Sequence, residues 1–176
     1  MAQTDKLARF EQIVMPHLDA AYNLARWLMR NQQDAQDAVQ DAYLRAFRFF
    51  DSFEGGDGRA WLLAIVRNAC RTSFQRTGGR AATAEFDERK HGLDDAADDP
   101  EARLLKQANV ESVRSCIEEL PPEYREVVVM RELEELSYKE IASAISTPLG
   151  TVMSRLSRAR ARLQDCLSVR MRGVRA

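Results

Sequence analysis

The sequence predicts an all-α fold: two small helical domains joined by a flexible acidic linker. Three observations carry that prediction. Apolar residues recur at three- and four-residue spacing along most of the chain, and no stretch alternates long enough for a strand. Glycine and proline cluster at a few places and punctuate the pattern. Residues 79–100 form an Ala/Asp-rich acidic stretch with few apolar anchors, which reads as a linker between a first domain, 1–78, and a second, 101–176.

Each element follows in order. Leu7, Phe10, Ile13 and Val14 give a first helical stripe, and Pro16 restarts the pattern as a first-turn proline can. Leu18, Ala21, Tyr22, Ala25 and Leu28 continue it to about Arg30. After a polar break over 31–34, Ala35, Ala38, Val39, Ala42, Tyr43, Ala46, Phe47 and Phe50 form a long stripe. FEGGDG, at 53–58, is a loop by its glycine content. Trp61, Leu62, Ile65, Val66, Ala69 and Cys70 mark a helix that ends near Thr77. In the second domain Leu104, Leu105, Ala108, Val113 and Ile117 make one stripe. Tyr124, Val127, Val128 and Leu133 make the next, after the Pro121–Pro122 break.

The 176 residues are 45% hydrophobic and 30% charged, enough apolar material for real cores. Lys and Arg number 26 against 27 Asp and Glu, but the near-neutral total hides segregation. Over 151–176 stand Arg155, Arg158, Arg160, Arg162, Arg170, Arg172 and Arg175 against Asp165 alone. Over 85–99 acids dominate instead. Such separation implies distinct electrostatic tasks. Cys70, Cys116 and Cys166 are far apart, odd in number and without CxxC spacing, so they read as reduced packing residues of a cytoplasmic protein. The opening MAQTDKLARFEQ is charged where a secretory signal is apolar. No apolar run approaches the roughly 20 residues of a membrane helix, so no membrane insertion is expected.

The most informative stretch is LSYKEIASAISTPLGTVMSRLSRARARL, 136–163. Ser137 and Glu140 spell a capping box, and Ile141, Ala142 and Ile145 give the short helix an apolar face. Ser146-Thr147-Pro148 stops it, with Thr147 as expected N-cap and Pro148 at the first position of the next helix. There Val152, Leu156, Ala159 and Leu163 form a buried stripe, while Thr151, Ser154, Ser157, Arg158 and Arg162 lie away from it. A solvated arginine face on a helical hairpin is the bland reading. The cap, the proline turn and the buried stripe together favour a DNA-binding helix-turn-helix, whose second helix meets base edges in the major groove.

The same residues carry a family resemblance. ELPPEYREVVVMRELEELSYKEIASAISTPLGTVMSRLSRARARL, 119–163, resembles region 4 of the extracytoplasmic-function (group IV) sigma factors of bacterial RNA polymerase. DAQDAVQDAYLRAF, 34–47, and RAWLLAIVRNACRTSFQR, 59–76, are similar to the two halves of that family's region 2. The resemblance implies a protein that binds core polymerase and directs promoter-specific initiation by reading −35 and −10 elements and helping to open the duplex. It implies −35 contacts by Pro148, Gly150, Thr151, Met153, Ser154, Arg155, Ser157 and Arg158. Met153 departs from the basic residue common there, and methionine makes no bidentate guanine contact. For the −10 element and melted strand it implies Phe53, Arg59, Trp61, Arg67, Asn68, Arg71 and Arg76, although the apolar stripe around Trp61 favours core packing for that ring. Asp34, Asp37, Gln40, Asp41 and Arg45 would dock on the β′ clamp helices and region 4 on the β flap. An anti-sigma factor is the expected regulator.

No nucleophile–base arrangement, metal spacing or phosphate-binding glycine loop stands out, so neither enzymatic activity, a cofactor nor a metal is expected. Two other readings remain open from the residues: a two-domain ligand-sensing regulator that binds duplex DNA without polymerase, and a helical scaffold that binds protein only.

Overall fold

The computed structural model describes residues 2–78 and 100–174. The expected acidic linker lies, but for Pro100, outside the described residues. All regular elements among these are helical. The first bundle comprises α1 (Ala2–Val14), a short turn of tighter helix at Met15–His17, α2 (Leu18–Met29), α3 (Gln32–Phe49) and α4 (Gly58–Arg76). Pro16 falls in that tighter turn, as its missing N–H and fixed φ allow. The polar break after α2 is shorter than the sequence suggested. Arg30 ends α2 in the left-handed conformation, and the Asn31 side chain at once caps α3, accepting from the Asp34 amide at 3.1 Å. Asp57 caps α4 in the same way, accepting from the Arg59 amide at 2.9 Å.

Val14, Leu24, Leu62, Leu63 and Val66 are fully buried at the centre of this bundle. Burying each such side chain contributes roughly 1.5–3 kcal/mol. An aromatic group closes one end: Phe53 stacks on Phe50, with centroids 5.9 Å apart, and Trp61 meets both rings. Trp61 therefore packs as its stripe indicated.

The second bundle comprises α5 (Pro100–Glu118), α6 (Pro122–Val128), α7 (Tyr138–Ala144) and α8 (Leu149–Val174), with α6 running into one π turn, Val129–Leu133. Val127, Val128, Val129 and Met130 are all buried. Four consecutive buried residues cannot share one helix face, and here α8 covers one side while α2 of the first bundle covers another. Arg125 is buried beneath them. Its guanidinium donates to the carbonyls of Leu120 at 2.7 Å and Glu118 at 2.8 Å, satisfying acceptors that the end of α5 leaves orphaned. Burial, with the Arg30 charge nearby, lowers the Arg125 pKa to about 10.

One expectation is overturned. Cys116 and Cys166 are not reduced packing residues but form a disulfide between α5 and α8. Their separation of 50 residues gave no spacing signal, since helix packing alone brings them together. Cys70 is free and buried as expected, its thiol pushed up to about 12 by desolvation and so inert.

Candidate nucleic-acid interface

The capping box at α7 is formed: the Ser137 hydroxyl accepts from the Glu140 amide at 3.2 Å, and the Glu140 carboxylate accepts from the Ser137 amide at 2.7 Å. The turn after α7 differs from the expected one in detail. Ser146 takes φ +52°, the Thr147 amide donates to the Ala142 carbonyl at 3.0 Å, and the Ser146 amide donates to Ser143 at 3.3 Å. This is a Schellman closure with serine where glycine is usual. Thr147 is not the cap of α8, because its hydroxyl donates back to the Ile145 carbonyl at 3.2 Å. The Pro148 carbonyl is the first intrahelical acceptor instead.

Val152, Leu156 and Ala159 seat α8 on α6 and α7. The opposite face carries most of the predicted −35 residues, while Arg155 turns toward α6 and comes within 3.7 Å of the Glu126 carboxylate. Pro148, Gly150, Met153, Ser154, Ser157 and Arg158 are exposed, and Thr151 and Arg155 are half-buried beside them. Met153, 52% exposed, and the neighbouring Leu149 give this polar face an apolar edge. The arginine ladder divides. Arg160 is held by Glu132 at 2.6 Å, Arg170 by Glu119, and Arg162 lies over the Tyr124 ring at 5.0 Å. Those three are tied into their own bundle, whereas Arg158 sits on the exposed face.

The predicted −10 residues are split between two settings. Asn68, Arg71 and Arg76 are exposed along one side of α4, and Phe53 is half-buried at the glycine loop. Gly55 and Gly56 sit at φ +98° and +95°, conformations that glycine allows at little cost. Arg67 is only 7% exposed: its Nε and Nη2 donate to the Glu126 carboxylate on α6 at 2.8 and 3.0 Å. Arg59 is held by Glu134, at 2.6 Å through the carboxylate and again through the main-chain carbonyl. Glu134 follows the π turn and is itself buried. Desolvation raises its carboxyl above the ordinary range, and Arg59 only partly offsets that.

These acids, which hold two of the predicted −10 arginines, are the partners that the sequence reading missed. The available signal was Glu126 within YREVVVM: a carboxylate beside an apolar run needs a cationic partner. The partner's identity was not visible, because Arg67 lies 59 residues away.

On α3, Asp37 and Gln40 are exposed, Asp34 and Asp41 are half-buried, and Arg45 pairs with Asp41 at 2.8 Å. Beside them runs an apolar groove of about 750 Å³ lined by Leu7, Met15, Leu18, Tyr43 and Leu44. Leu44 is 65% exposed. Burial pushes the Tyr43 hydroxyl up to about 12, and the Asp19 charge adds to the shift. Among the described residues no group of His, Cys, Asp and Glu could hold a metal ion, and no helix is long and apolar enough to cross a membrane.

Comparison with known proteins agrees with this arrangement of a helix-turn-helix bundle behind an α-helical bundle with a glycine loop. The family model for Sigma-70 region 2 matches residues 13–80, and that for Sigma-70, region 4 matches residues 111–163. The RNA polymerase sigma-H factor of Pseudomonas aeruginosa is 32% identical over 176 residues, covering 96% of this chain and 90% of the relative. The ECF RNA polymerase sigma factor SigE of Mycolicibacterium smegmatis is also 32% identical, over 159 residues, and this chain spans 62% of its length. Among solved structures, the sigma factor RpoE in complex with the anti-sigma factor NepR from Bartonella quintana aligns with a TM-score of 0.72 at 27% identity. It covers 92% of this chain and 98% of that one. Two family models in the right order and a 32% identical relative covered over 90% of its length leave one assignment: the chain belongs to the extracytoplasmic-function sigma factors of the sigma-70 family, which direct RNA polymerase to promoters.

Proposed function

We propose that the chain divides this work between a core-binding and −10-reading domain, 1–78, and a −35-reading domain, 101–176, connected through 79–100. The single observation that carries the proposal is the exposed face of α8, where Thr151, Ser154 and Arg158 stand in line beyond the helix-turn-helix. Hydroxyls suit phosphate and position the helix, and an arginine takes guanine O6 and N7 bidentately. Pro148, Gly150, Met153, Arg155 and Ser157 complete the −35 surface. Phe53, Arg59, Arg67, Asn68, Arg71 and Arg76 follow the −10 strand once the duplex opens, with the Phe53 loop receiving an unstacked base and Trp61 supporting that loop from the core.

Core polymerase holds the chain at two places. Asp34, Asp37, Gln40, Asp41 and Arg45 dock on the β′ clamp helices, their mixed charge setting orientation more than raw affinity, and the second domain docks on the β flap. Two weak readers fixed on one core gain from effective concentration. The chain acts by binding in the cytoplasm, without catalysis or cofactor, and an anti-sigma factor controls its access to core. A sigma factor of similar fold solved with an anti-sigma factor supports that last step. Transcription in vitro with bacterial core polymerase, with and without the chain, tests the reading on a genomic promoter pool. Chain-dependent start sites sharing two spaced upstream elements are expected. Neither transcripts nor core binding from folded protein would overturn it.

A further inference from the structure

Met153 is half exposed on the outward side of α8, among residues that carry hydroxyls and charge. Its neighbours there are Gly150, three residues before it, Ser154 beside it and Ser157, four residues after it, all exposed. Leu149, 40% exposed, lies one turn before Met153, so the two apolar side chains adjoin. Single exposed apolar residues are common on any surface and call for no explanation. Here, though, the pair interrupts a polar face in the first two turns of α8. In a helix-turn-helix that part of the second helix meets base edges.

Gly150 supplies a second, independent observation. A Cβ built on it would meet nothing within 4 Å, and its φ is not positive. Neither packing nor backbone conformation within the chain requires glycine there, although glycine weakens a helix relative to alanine. The missing side chain leaves room on the outside instead. A surface can come close to the backbone of α8 at Gly150 and so meet Met153 at short range.

Chemistry selects what Met153 can read. A thioether has no donor and is only a weak acceptor. In the major groove the edges of guanine, adenine and cytosine carry donors and acceptors, which methionine would bury unpaired. Thymine presents an apolar group there, its 5-methyl. We infer that Met153 is a specificity-determining residue that selects a thymine of the −35 element through that methyl, with Gly150 allowing the close approach. The inference deepens the −35 reading proposed above and rests on it. Selection comes as much from rejecting the other bases as from the methyl contact itself. With guanine left to Arg158, one helix reads two bases by two different chemistries.

The test uses the full chain with core polymerase and measures the initiation rate on a promoter taken from the genomic pool, intact or with its −35 element scrambled. Each thymine of that element, on either strand, is replaced in turn by deoxyuridine, which removes the methyl and keeps every hydrogen-bonding group. At one thymine the replacement is expected to lower initiation about fourfold, the worth of one buried methyl-sized group. With Met153→Ala the intact promoter is about fourfold weaker, and the same replacement has no further effect. Met153→Leu keeps the sensitivity, whereas Met153→Gln, similar in length but polar, loses it. Melting temperatures equal to the wild type certify the fold of these variants, whose position is exposed. A wild type indifferent to every deoxyuridine, or a Met153→Ala variant as sensitive as the wild type, would overturn the inference while leaving the −35 reading in place. Equal initiation from the intact and scrambled elements would sink the −35 reading itself, and the inference with it.

Discussion

Cys116 and Cys166 are bonded to each other across 50 residues of sequence, tying the last turn of α5 to the C-terminal half of α8. Cys116 is 1% exposed, so the bond sits in the packed seam between the helices. Closing a loop of that length removes denatured-state entropy worth about 4 kcal/mol on the chain-entropy model. Cys166→Ser is therefore expected to lower the urea midpoint of the second bundle substantially. Dithiothreitol should bring the wild type to the same midpoint and leave Cys166→Ser unmoved. A wild type indifferent to reductant would mean that the bond contributes nothing to stability.

Gly58 opens α4 against α1. A Cβ built there would lie 2.6 Å from Ile13 Cγ2 and 3.1 Å from the Ile13 carbonyl oxygen. The branched methyl cannot swing away freely, and the carbonyl belongs to the helix. Gly58→Ala is expected to destabilise the first bundle by about 1–3 kcal/mol, the usual cost of overpacking. Ile13→Ala should relieve part of it. The measurement is a double-mutant cycle by chemical denaturation, in which the pair costs less than the sum of the singles.

Ser146 holds φ +52° at the helix-turn-helix corner, where a Cβ is disfavoured. Ser146→Gly is expected to raise the stability of the second bundle by roughly 0.5–1 kcal/mol, because the native conformation suits glycine and its extra unfolded-state entropy offsets only part of the relief. A fall in melting temperature would show that the serine contributes something beyond its backbone.

Much of this was legible because it is local. The stripe from Ala35 to Phe50 placed α3, and Ser137 with Glu140 announced the cap of α7 before any coordinate. Thr147 failed as a cap because α8 starts at Leu149, with the Pro148 carbonyl as its first acceptor, while the amide and hydroxyl of Thr147 both close the end of α7, a competition between two helix ends that propensity does not weigh. The π turn at Val129–Leu133 has no periodic signature of its own. The pairing of Cys116 with Cys166 and of Arg67 with Glu126 depends on how separate helices pack, and sequence spacing carries no record of that. Arg67 and Arg71 share a helix face by spacing, yet one is buried and the other exposed, since only the former reaches α6.

Glu134 makes stability depend on pH. Desolvation holds its folded-state pKa above the ordinary 4.5, with Arg59 offsetting only part of the shift. The folded chain thus binds this proton more tightly than the unfolded chain does. The contribution is fully present below about 4.5, is lost as pH rises through the raised folded value, and is level beyond it. Glu134→Gln lacks the titration. The difference in melting temperature, variant minus wild type, should therefore grow as pH rises from 4.5 and then flatten. A difference that shrank over that window would reverse the assigned sign.

The −35 contact proposed for Arg158 can be separated from fold support on α8. It is exposed on the face opposite Val152, Leu156 and Ala159, whereas Arg160 and Arg170 are held by Glu132 and Glu119. Losing a bidentate guanine contact costs about tenfold or more in discrimination. Arg158→Ala is accordingly expected to cut core-directed transcription about tenfold from promoters that depend on the −35 element, with thermal stability unchanged. Arg160→Ala is expected to do the reverse, with a small loss of stability, since an exposed pair contributes at most about 1 kcal/mol, and little loss of promoter use. Run-off assays on matched promoters with intact and scrambled −35 elements measure the contrast. If Arg158→Ala reduces both promoters equally, its role lies in core docking rather than in reading the element.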